Sequence, residues 1–174
     1  SKKGRGEAFR IAFNKSKSDF LIFYSPDGNE DPKDIKLIKN HFSNDDSLDI
    51  VICSRMMKSA HNEEDEQIFK FRKWANNIFN LFANLFFNKN FYKGYITDSI
   101  NGFRGFKRSS FNILKLDAEG FTIEYQSTIR AFKNNMKIKE IPTIEGQRIG
   151  GESYAKSIPT GLRFINCLFK EILF

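Results

Sequence analysis

Two kinds of hydrophobic pattern alternate along this chain, and together they predict an α/β fold. Apolar residues that recur every three or four positions are typical of helices with one buried face. The segments with that spacing are residues 6–16, 32–41, 68–87, 121–134 and 159–174, with a further short helix near residue 109. Short apolar or alternating runs predict strands at residues 20–24, 48–53 and 137–141. Helices that alternate with strands are typical of a mostly parallel sheet flanked by helices.

An acidic turn follows the first predicted strand directly. The turn runs from Ser25 to Pro32 and contains Asp27, Asn29 and Asp31. Open α/β sheets bind their ligands at the carboxyl ends of the strands, which is where this turn lies. Oxygen atoms of Asp and Asn side chains are the ligands that divalent cations such as Mg²⁺ prefer, and such cations bind phosphates in protein sites. The turn therefore predicts a site for a nucleotide sugar.

The amino-acid composition limits the kinds of molecule that this chain is expected to bind. A chain of 174 residues is about one domain, and 28 Lys and Arg against 21 Asp and Glu give a formal charge of +7. This charge favours anionic partners, which include nucleic acid, phosphorylated ligands and acidic membrane surfaces. The aromatic residues fall on helical stripes suited to burial, so we expect no binding of nucleic acid. Cys53 and Cys167 match no metal or redox spacing, which predicts reduced thiols in the core of a cytosolic protein.

One segment has no regular pattern, and two predicted helices have an apolar face whose surroundings must be inferred. Residues 56–67 are polar, contain an acidic run at residues 63–66 and show no periodicity, which predicts a mobile loop. The helices predicted for residues 68–87 and 159–174 each have an apolar stripe. The first of these helices fits either the protein core or partial immersion in a membrane interface, and the second fits an interfacial helix.

The order of short motifs resembles that of the family 2 glycosyltransferases of the GT-A fold, especially the transferases that attach a sugar to dolichyl or another polyprenyl phosphate. The resemblance spans nearly the whole chain. In order, the motifs are Lys3–Ala8, Ser25–Pro32, Cys53–Arg55, Arg72 with Asn76, Asp98–Arg104, Gly120–Glu124, Glu140–Pro142 and Arg148–Ser153. The opening residues match the middle of such a domain, so we expect the first strands of the family's sheet to be missing from this chain.

The resemblance implies a donor site that a divalent cation assists. In the family, an Asp-x-Asp motif after the strand holds the metal and the diphosphate of the sugar nucleotide. Here Ser25 takes the place of the first Asp, while Asp27 keeps the second position and Asn29 offers a further ligand. We therefore expect a weakened site for Mg²⁺ or Mn²⁺. The donor-binding residues that the resemblance implies are Lys3, Gly4, Gly6, Asp27, Asn29 and Arg148.

The resemblance also implies a phosphate site for the acceptor. Arginine binds two phosphate oxygens at once, which lysine does not do. The residues implied for the acceptor phosphate are Arg55, Arg72 and Asn76, and those implied for catalysis are Asp98, Arg72 and Arg55. Glu124 is an alternative to Asp98 as the acceptor-side carboxylate. Arg104 either pairs with Asp98 or reaches the donor, and Ser153 is a further candidate.

We therefore expect an inverting transferase that moves a sugar from a GDP-mannose or UDP-glucose type of donor to a polyprenyl phosphate. A phosphate acceptor is ionised near neutral pH and needs no strong base, whereas a sugar hydroxyl needs a carboxylate base. The alternatives are a transferase for saccharide or glycoprotein acceptors and a non-catalytic domain that binds sugar nucleotides or protein partners. We expect residues 1–158 to form the catalytic domain and residues 159–174 an amphipathic helix. The expected location is the cytoplasm, in peripheral contact with the cytoplasmic face of a membrane.

Overall fold

The computed structural model describes residues 4–25, 27–65, 70–91, 94–146 and 157–173, and these form a four-stranded sheet with helices on both faces. In chain order the elements are α1 (Arg5–Lys15), β1 (Phe20–Phe23), α2 (Lys33–Asn44), β2 (Ile50–Ser54), α3 (Phe71–Phe87), β3 (Arg104–Lys107), α4 (Arg108–Leu114), α5 (Ile123–Lys133), β4 (Ile138–Pro142) and α6 (Ser157–Leu173). The predicted α/β class is confirmed, and every predicted helix and strand is present within a few residues of its expected bounds.

The strands are arranged in the order β1-β3-β2-β4. Strand β3 runs antiparallel to both of its neighbours, β1 and β2, whereas β2 and β4 are parallel. Strands β1, β2 and β4 therefore point in one direction, and their carboxyl ends meet the amino end of β3 at one edge of the sheet. The sequence pattern misses β3 because its four residues, Arg-Gly-Phe-Lys, form neither an apolar run nor a regular alternation.

The fully buried strand β2 supplies side chains to two separate cores. Ile50 and Ile52 belong to the larger core, with residues of α1, α3, α4, α5 and α6, while Val51 and Cys53 belong to the smaller core beneath α2. This division follows the two-residue period of a strand. Gly105 of β3 lies against α2, where an added Cβ would be 2.6 Å from a side-chain atom of that helix. Glycine therefore allows α2 to pack directly on the sheet.

Helices α3, α5 and α6 form one packed layer. The ring centroid of Phe164 on α6 is 5.2 Å from that of Phe79 on α3 and 5.5 Å from that of Tyr125 on α5. Cys167 and Leu168 of α6 are also buried in the larger core. In the part of the chain that the structure describes, no helix combines the length and the hydropathy needed to cross a bilayer.

Residues 56–65, for which the sequence predicts a mobile loop, make buried contacts with α3. Asn62 and Glu64 are buried, and the carboxylate of Glu64 accepts a hydrogen bond of 2.9 Å from the backbone N–H of Lys73. The first N–H groups of a helix have no partner within the helix and favour a negative charge. Glu64 therefore caps the amino end of α3. A pattern search does not detect this contact, because it joins the loop to a helix rather than repeating within a segment.

Candidate functional site

A cavity of about 270 Å³ opens at the sheet edge where the carboxyl ends of β1, β2 and β4 meet the amino end of β3. Its polar wall comes from the turn after β1, the residues that follow β2 and β4, and the loop that precedes β3. Its apolar wall comes mainly from α3 and α6, with Phe121 just before α5, and contains Phe71, Ala75, Phe79, Phe121 and Phe164. The cavity thus lies at the position where open α/β sheets bind ligands.

The turn after β1 supplies oxygen atoms to this cavity. Ser25, Asp27 and Asn29 all line it, as the sequence predicts. Asn29 is only 6% exposed, and its Nδ2 donates a hydrogen bond of 3.3 Å to Glu145 Oε1. The Oδ1 atom of Asn29 is buried and accepts no hydrogen bond from any residue that the structure describes. A buried carbonyl oxygen without a donor is costly in a folded protein, so a ligand that binds this atom would relieve that cost.

The donor atoms of this turn fit a divalent cation that also binds phosphate. Mg²⁺ in nucleotide sites is usually held by one or two carboxylates together with phosphate oxygens. Asp27 offers one carboxylate and Asn29 one unsatisfied oxygen, while Ser25 offers no charge in place of the family's first Asp. Among the described residues, no group of three or more His, Cys, Asp or Glu side chains is arranged to hold a metal. The site therefore suits a cation that substrate phosphates help to bind.

Glu30 is a cavity residue that the sequence analysis did not single out. Its Oε2 accepts a hydrogen bond of 3.0 Å from the backbone N–H of Ser25. Burial raises the pKa of Glu30 to about 7, and the nearby Glu145 acts in the same direction, while the N–H of Ser25 opposes them. Glu30 therefore changes its charge near neutral pH, directly beside the donor-side turn.

Arg55, at the end of β2, is held between two acidic side chains. Its Nε and Nη2 donate hydrogen bonds of 2.8 and 3.1 Å to Asp98, and its Nη1 lies 3.5 Å from Glu145 Oε1. Burial alone would lower the pKa of Arg55, but the charges of Asp98 and Glu145 raise it above its usual value. Arg55 lines the cavity, whereas Asp98 is fully buried behind it and does not. Asp98 is placed to orient Arg55 rather than to touch a ligand.

The amino-terminal part of α3 brings Arg72 and Asn76 into the same cavity as Arg55. The structure thus brings together the three residues that the resemblance implies for an acceptor phosphate. The guanidinium of Arg72 is 45% exposed and lies 3.3 Å from Glu63, so it remains accessible. Two guanidinium groups that line one cavity are suited to binding phosphate.

Arg5 and Glu124 form an ion pair inside the cavity. The Nε of Arg5 donates to Glu124 Oε1, while Glu124 Oε2 is buried and has no hydrogen-bond partner within the described part of the chain. Burial raises the pKa of Glu124, and the charges of Arg5 and Arg104 oppose that rise. Gly102 makes room for the pair, because an added Cβ there would be 1.7 Å from Arg5 Nη2. The wall of the cavity therefore contains a buried carboxylate of which one oxygen is bonded to Arg5.

Arg104 lies beneath the cavity rather than in it. Its guanidinium is fully buried and donates to the backbone oxygens of Ser99, Asn101 and Glu124 and to the hydroxyl groups of Ser127 and Thr128. Burial lowers the pKa of Arg104 to about 10. None of these hydrogen bonds is the predicted pairing with Asp98. Arg104 joins the start of α5 to the loop before β3, and it thereby fixes the position of Glu124.

The two predicted donor-site glycines pack against another loop. An added Cβ would lie 2.5 Å from Glu119 O at Gly4 and 1.9 Å from Ala118 O at Gly6. Neither glycine lines the cavity, whereas Arg5 between them does. The described contacts explain both glycines by close approach of two backbone segments. Lys3, Arg148 and Ser153 lie outside the described residues.

Polar side chains of α3 hold the loop that carries Asp98. Asn84 Nδ2 donates to Ile96 O and its Oδ1 accepts from Ile96 N, at 2.8 and 2.9 Å. Asn80 makes equivalent bonds to Thr97 O and to the backbone N–H of Ser99. Asn76 is one helical turn before Asn80 and four residues from it, which places it on the same side of α3, next to the cavity. The row of asparagines therefore both positions the loop and reaches the site.

Comparisons with solved structures find proteins of similar fold, whereas the comparisons by sequence find no match. No family model matches the chain, and no curated protein matches it. Solved structures do match. Glucosyl-3-phosphoglycerate synthase from Mycobacterium tuberculosis, in complex with phosphoglyceric acid, superimposes with a TM-score of 0.71 at 16% sequence identity, and the match covers 100% of this chain and 57% of that one.

Two further structures give the same result. The same synthase in complex with Mn²⁺, UDP-glucose and phosphoglyceric acid matches with a TM-score of 0.69 at 14% identity, over 99% of this chain and 56% of that chain. A structure described as a mycobacterial protein matches with a TM-score of 0.71 at 14% identity, over 100% of this chain and 53% of its own. The chain thus spans a little over half the length of these neighbours, and it has the GT-A fold of nucleotide-sugar glycosyltransferases.

Proposed function

We propose that this chain contributes the catalytic site of an inverting glycosyltransferase that takes its sugar from a nucleotide sugar. The observation that carries this proposal is the single cavity that holds Asp27, Asn29, Arg55 and Arg72 at the ligand-binding edge of a GT-A sheet. The neighbours by fold include a synthase crystallised with Mn²⁺, UDP-glucose and phosphoglyceric acid, which supports a donor of the UDP-glucose type. A GDP-mannose type of donor is the alternative.

Each side chain has a distinct part in the proposed reaction. An acceptor oxygen attacks the anomeric carbon as the bond from that carbon to the diphosphate breaks, and the nucleoside diphosphate leaves from the opposite face. Asp27 and Asn29 would hold the metal, which when bound neutralises charge on the leaving diphosphate. Arg55, oriented by Asp98, binds a phosphate in a fixed direction. Arg72 adds a second guanidinium at the amino end of α3.

A polyprenyl phosphate is the first candidate for the acceptor. Its phosphate is ionised near neutral pH, so transfer depends on positioning and on stabilising the leaving group rather than on a base. Arg55, Arg72 and Asn76 offer the phosphate contacts, and Phe71, Ala75 and Phe79 give that side of the cavity an apolar wall. Such an acceptor is borne by a membrane, so peripheral contact with the cytoplasmic face of a membrane is part of this proposal.

A hydroxyl acceptor is the second candidate, and Glu124 favours it. Glu124 lines the cavity, and its Oε2 lacks a hydrogen-bond partner. Arg5 supports the ionised form of this carboxylate despite its burial. In this case Glu124 takes the proton of the attacking hydroxyl as the new bond forms. A saccharide or a small phosphorylated hydroxy compound would provide such a group.

Calorimetric titration with UDP-glucose and GDP-mannose, each with and without Mn²⁺, tests the donor site. We expect binding of one donor to depend on Mn²⁺ and to weaken by at least about tenfold in Asp27→Asn, because the cation loses its carboxylate ligand. Asp46→Asn is the control, since Asp46 is an exposed residue outside the cavity. A folded chain that binds neither donor would contradict the proposal.

Transfer assays then separate the acceptors. Sugar transfer to polyprenyl phosphate that survives Glu124→Gln supports the lipid phosphate. Transfer only to soluble hydroxyl acceptors, abolished by Glu124→Gln, supports the second candidate. Donor binding without transfer to any acceptor would indicate a non-catalytic domain that binds sugar nucleotides.

A further inference from the structure

Glu145 is a cavity residue to which the proposed reaction assigns no part. It follows β4, lines the cavity and is only 6% exposed. Its Oε1 accepts a hydrogen bond of 3.3 Å from Asn29 Nδ2 and lies 3.5 Å from Arg55 Nη1. Its Oε2 accepts a hydrogen bond of 3.4 Å from Asn62 Nδ2. One buried carboxylate thus joins the turn after β1 to Arg55 and to the segment that follows β2.

The backbone at Glu145 is bonded to the same two segments. The N–H of Glu145 donates to His61 O at 3.0 Å, and the N–H of Gly146 donates to Asn29 O at 2.7 Å. Glu30 and Glu145 also form a short antiparallel bridge. The carboxylate of Glu145 is therefore held beside Asn29 by main-chain as well as side-chain bonds, which is what a side chain that orients another residue requires.

The contacts of Glu145 require its ionised form. Asn29, Arg55 and Asn62 all approach it with N–H groups, and an ionised carboxylate accepts hydrogen bonds at both of its oxygens. Burial raises the pKa of Glu145, and the charge of Arg55 opposes that rise. Arg55 therefore helps to keep Glu145 an acceptor for the amide of Asn29.

An ionised Glu145 determines which atom of the Asn29 amide is left for a ligand. An amide group carries a donor, its NH₂, and an acceptor, its oxygen. If the amide were reversed, its oxygen would face the carboxylate and repel it, so Nδ2 faces Glu145. Oδ1 is the atom that remains, and it is buried without a donor among the described residues. Divalent cations such as Mg²⁺ bind oxygen ligands, which include amide oxygens.

We propose that Glu145 is a positioning residue of the donor site, which holds the amide of Asn29 with its oxygen toward a divalent cation. Because it concerns the cation that assists donor binding, this assignment rests on the proposed function. Removal of a group that orients a metal ligand through a hydrogen bond typically weakens metal binding by about 10- to 100-fold.

Electron paramagnetic resonance of free Mn²⁺ measures the affinity of the chain for this cation in the presence of UDP or of GDP. Glu145→Gln should weaken Mn²⁺ binding by at least about tenfold, because a Gln side chain does not fix the orientation of the Asn29 amide. Glu171→Gln is the matched control, since Glu171 is 3% exposed, is paired with Arg130 and Lys133 and lies outside the cavity. This control should bind Mn²⁺ as tightly as the wild type.

A double-mutant cycle shows whether Glu145 acts through Asn29. Asn29→Ala removes the amide, while Asp27 and the nucleotide phosphates still bind Mn²⁺ more weakly. In that background Glu145→Gln should have little further effect on Mn²⁺ affinity. A tenfold or larger loss that persists in Asn29→Ala would show that Glu145 acts through its own charge or through Arg55, and it would overturn the inference.

Exchange of the two groups tests the same hydrogen bond with its donor and acceptor reversed. In Asn29→Asp combined with Glu145→Gln, the amide at position 145 donates to the carboxylate at position 29, whose other oxygen remains for the cation. We expect this double variant to bind Mn²⁺ at least as tightly as the wild type, and it provides the test if Glu145→Gln alone does not fold. A folded double variant that binds Mn²⁺ tenfold or more weakly would also overturn the inference.

The wild-type chain distinguishes failure of the donor site from failure of the role given to Glu145. If the folded wild type binds no Mn²⁺ with either nucleotide, the proposed donor site is contradicted and the role of Glu145 with it. If the wild type binds Mn²⁺ and Glu145→Gln binds it equally well, the donor site stands and only the role of Glu145 is wrong.

Discussion

Glu124 and Asp98 are two buried carboxylates whose neighbours give them different chemistry. Asp98 accepts hydrogen bonds from the guanidinium and backbone of Arg55 and from the backbone of Asn101, and it is fully buried. Glu124 has one oxygen bonded to Arg5 and one without a partner in the cavity. The geometry therefore favours Glu124 over Asp98 for contact with an acceptor, the reverse of the order that the sequence suggests.

Gly102→Ala tests the contact between Arg5 and Glu124. The new Cβ would clash with the guanidinium of Arg5 and lie 3.1 Å from Glu124 Oε1, so the flexible arginine side chain must move. Without Arg5, burial raises the pKa of Glu124 further, because the opposing charge is gone. We expect the variant to unfold at lower urea concentration than the wild type at alkaline pH, and by less at acidic pH.

Two comparisons separate this effect from general strain. In the Glu124→Gln background, Gly102→Ala should be nearly neutral at both pH values, because no carboxylate remains to be destabilised. Gly94→Ala serves as the steric control, since an added Cβ there meets no atom within 4 Å. A loss of stability that is equal at both pH values and persists in Glu124→Gln would show that Arg5 does not act through Glu124.

Glu30→Gln should change how stability depends on pH. The folded state raises the pKa of Glu30 from 4.5 to about 7, so between these values it binds more protons than the unfolded state. The stability that Glu30 contributes is therefore complete below pH 4.5 and is lost as the pH rises through about 7. The variant should lack this loss, which amounts to about 3 kcal/mol at most.

Urea unfolding near pH 5 and near pH 8 measures this difference. Burial also raises the pKa values of Glu124, Glu140 and Glu145, so the wild-type slope has the same sign from several groups and Glu30→Gln should reduce it without abolishing it. Asp46→Asn, at an exposed position, should leave the slope unchanged. A slope identical in Glu30→Gln and wild type would mean that Glu30 has an ordinary pKa.

At the scale of elements, α3 serves as the support of the site. Its asparagine side chains hydrogen-bond the backbone of the loop before β3, as a neighbouring strand would do. Asn84→Ala would leave the buried N–H and C=O of Ile96 without partners, and we expect a loss of about 2–4 kcal/mol in the free energy of unfolding. Asn77→Ala, on the exposed side of the same helix, should cost less than about 0.5 kcal/mol. Equal effects of the two substitutions in urea unfolding would contradict this role.

At the scale of the whole molecule, the sequence predicts most of the elements because their signals are local. The run Phe20–Phe23 and the strand Ile50–Ser54 are each recognisable from a few adjacent residues. The sequence does not predict strand β3, because Gly105 is a poor strand former that serves the close contact with α2. The acidic residues 63–65 are likewise expected from the sequence to be solvent-exposed, and only the structure reveals their contacts with α3.

The site is predicted less completely than the fold, because its members meet only through tertiary contacts. Asp27, Asn29 and Arg55 follow strands, so the rule that ligands bind at strand ends identifies them. Arg5 and Glu145 carry no such signal. Arg5 lies in a glycine-rich motif in which the glycines are the more obvious candidates. Glu145 is recognisable as a site residue only from its contacts with Asn29 and Arg55, which are distant in the sequence.

Helix α6 shares its core with α3 and α5, and Phe164→Ala tests whether these helices unfold as one unit. Phe164 is 5% exposed and contacts the rings of Phe79 and Tyr125. Its truncation should lower the free energy of unfolding by about 3–5 kcal/mol. Phe169→Ala, at a position that is 59% exposed on the same helix, should cost less than about 1 kcal/mol.

The fluorescence of Trp74 and the far-ultraviolet circular dichroism should report one coincident transition in each variant, because the three helices are packed around a common core. If Phe164→Ala instead shifts the fluorescence transition alone, α3 and α6 unfold separately from the sheet, and the packing of Phe164 contributes little to the stability of the sheet.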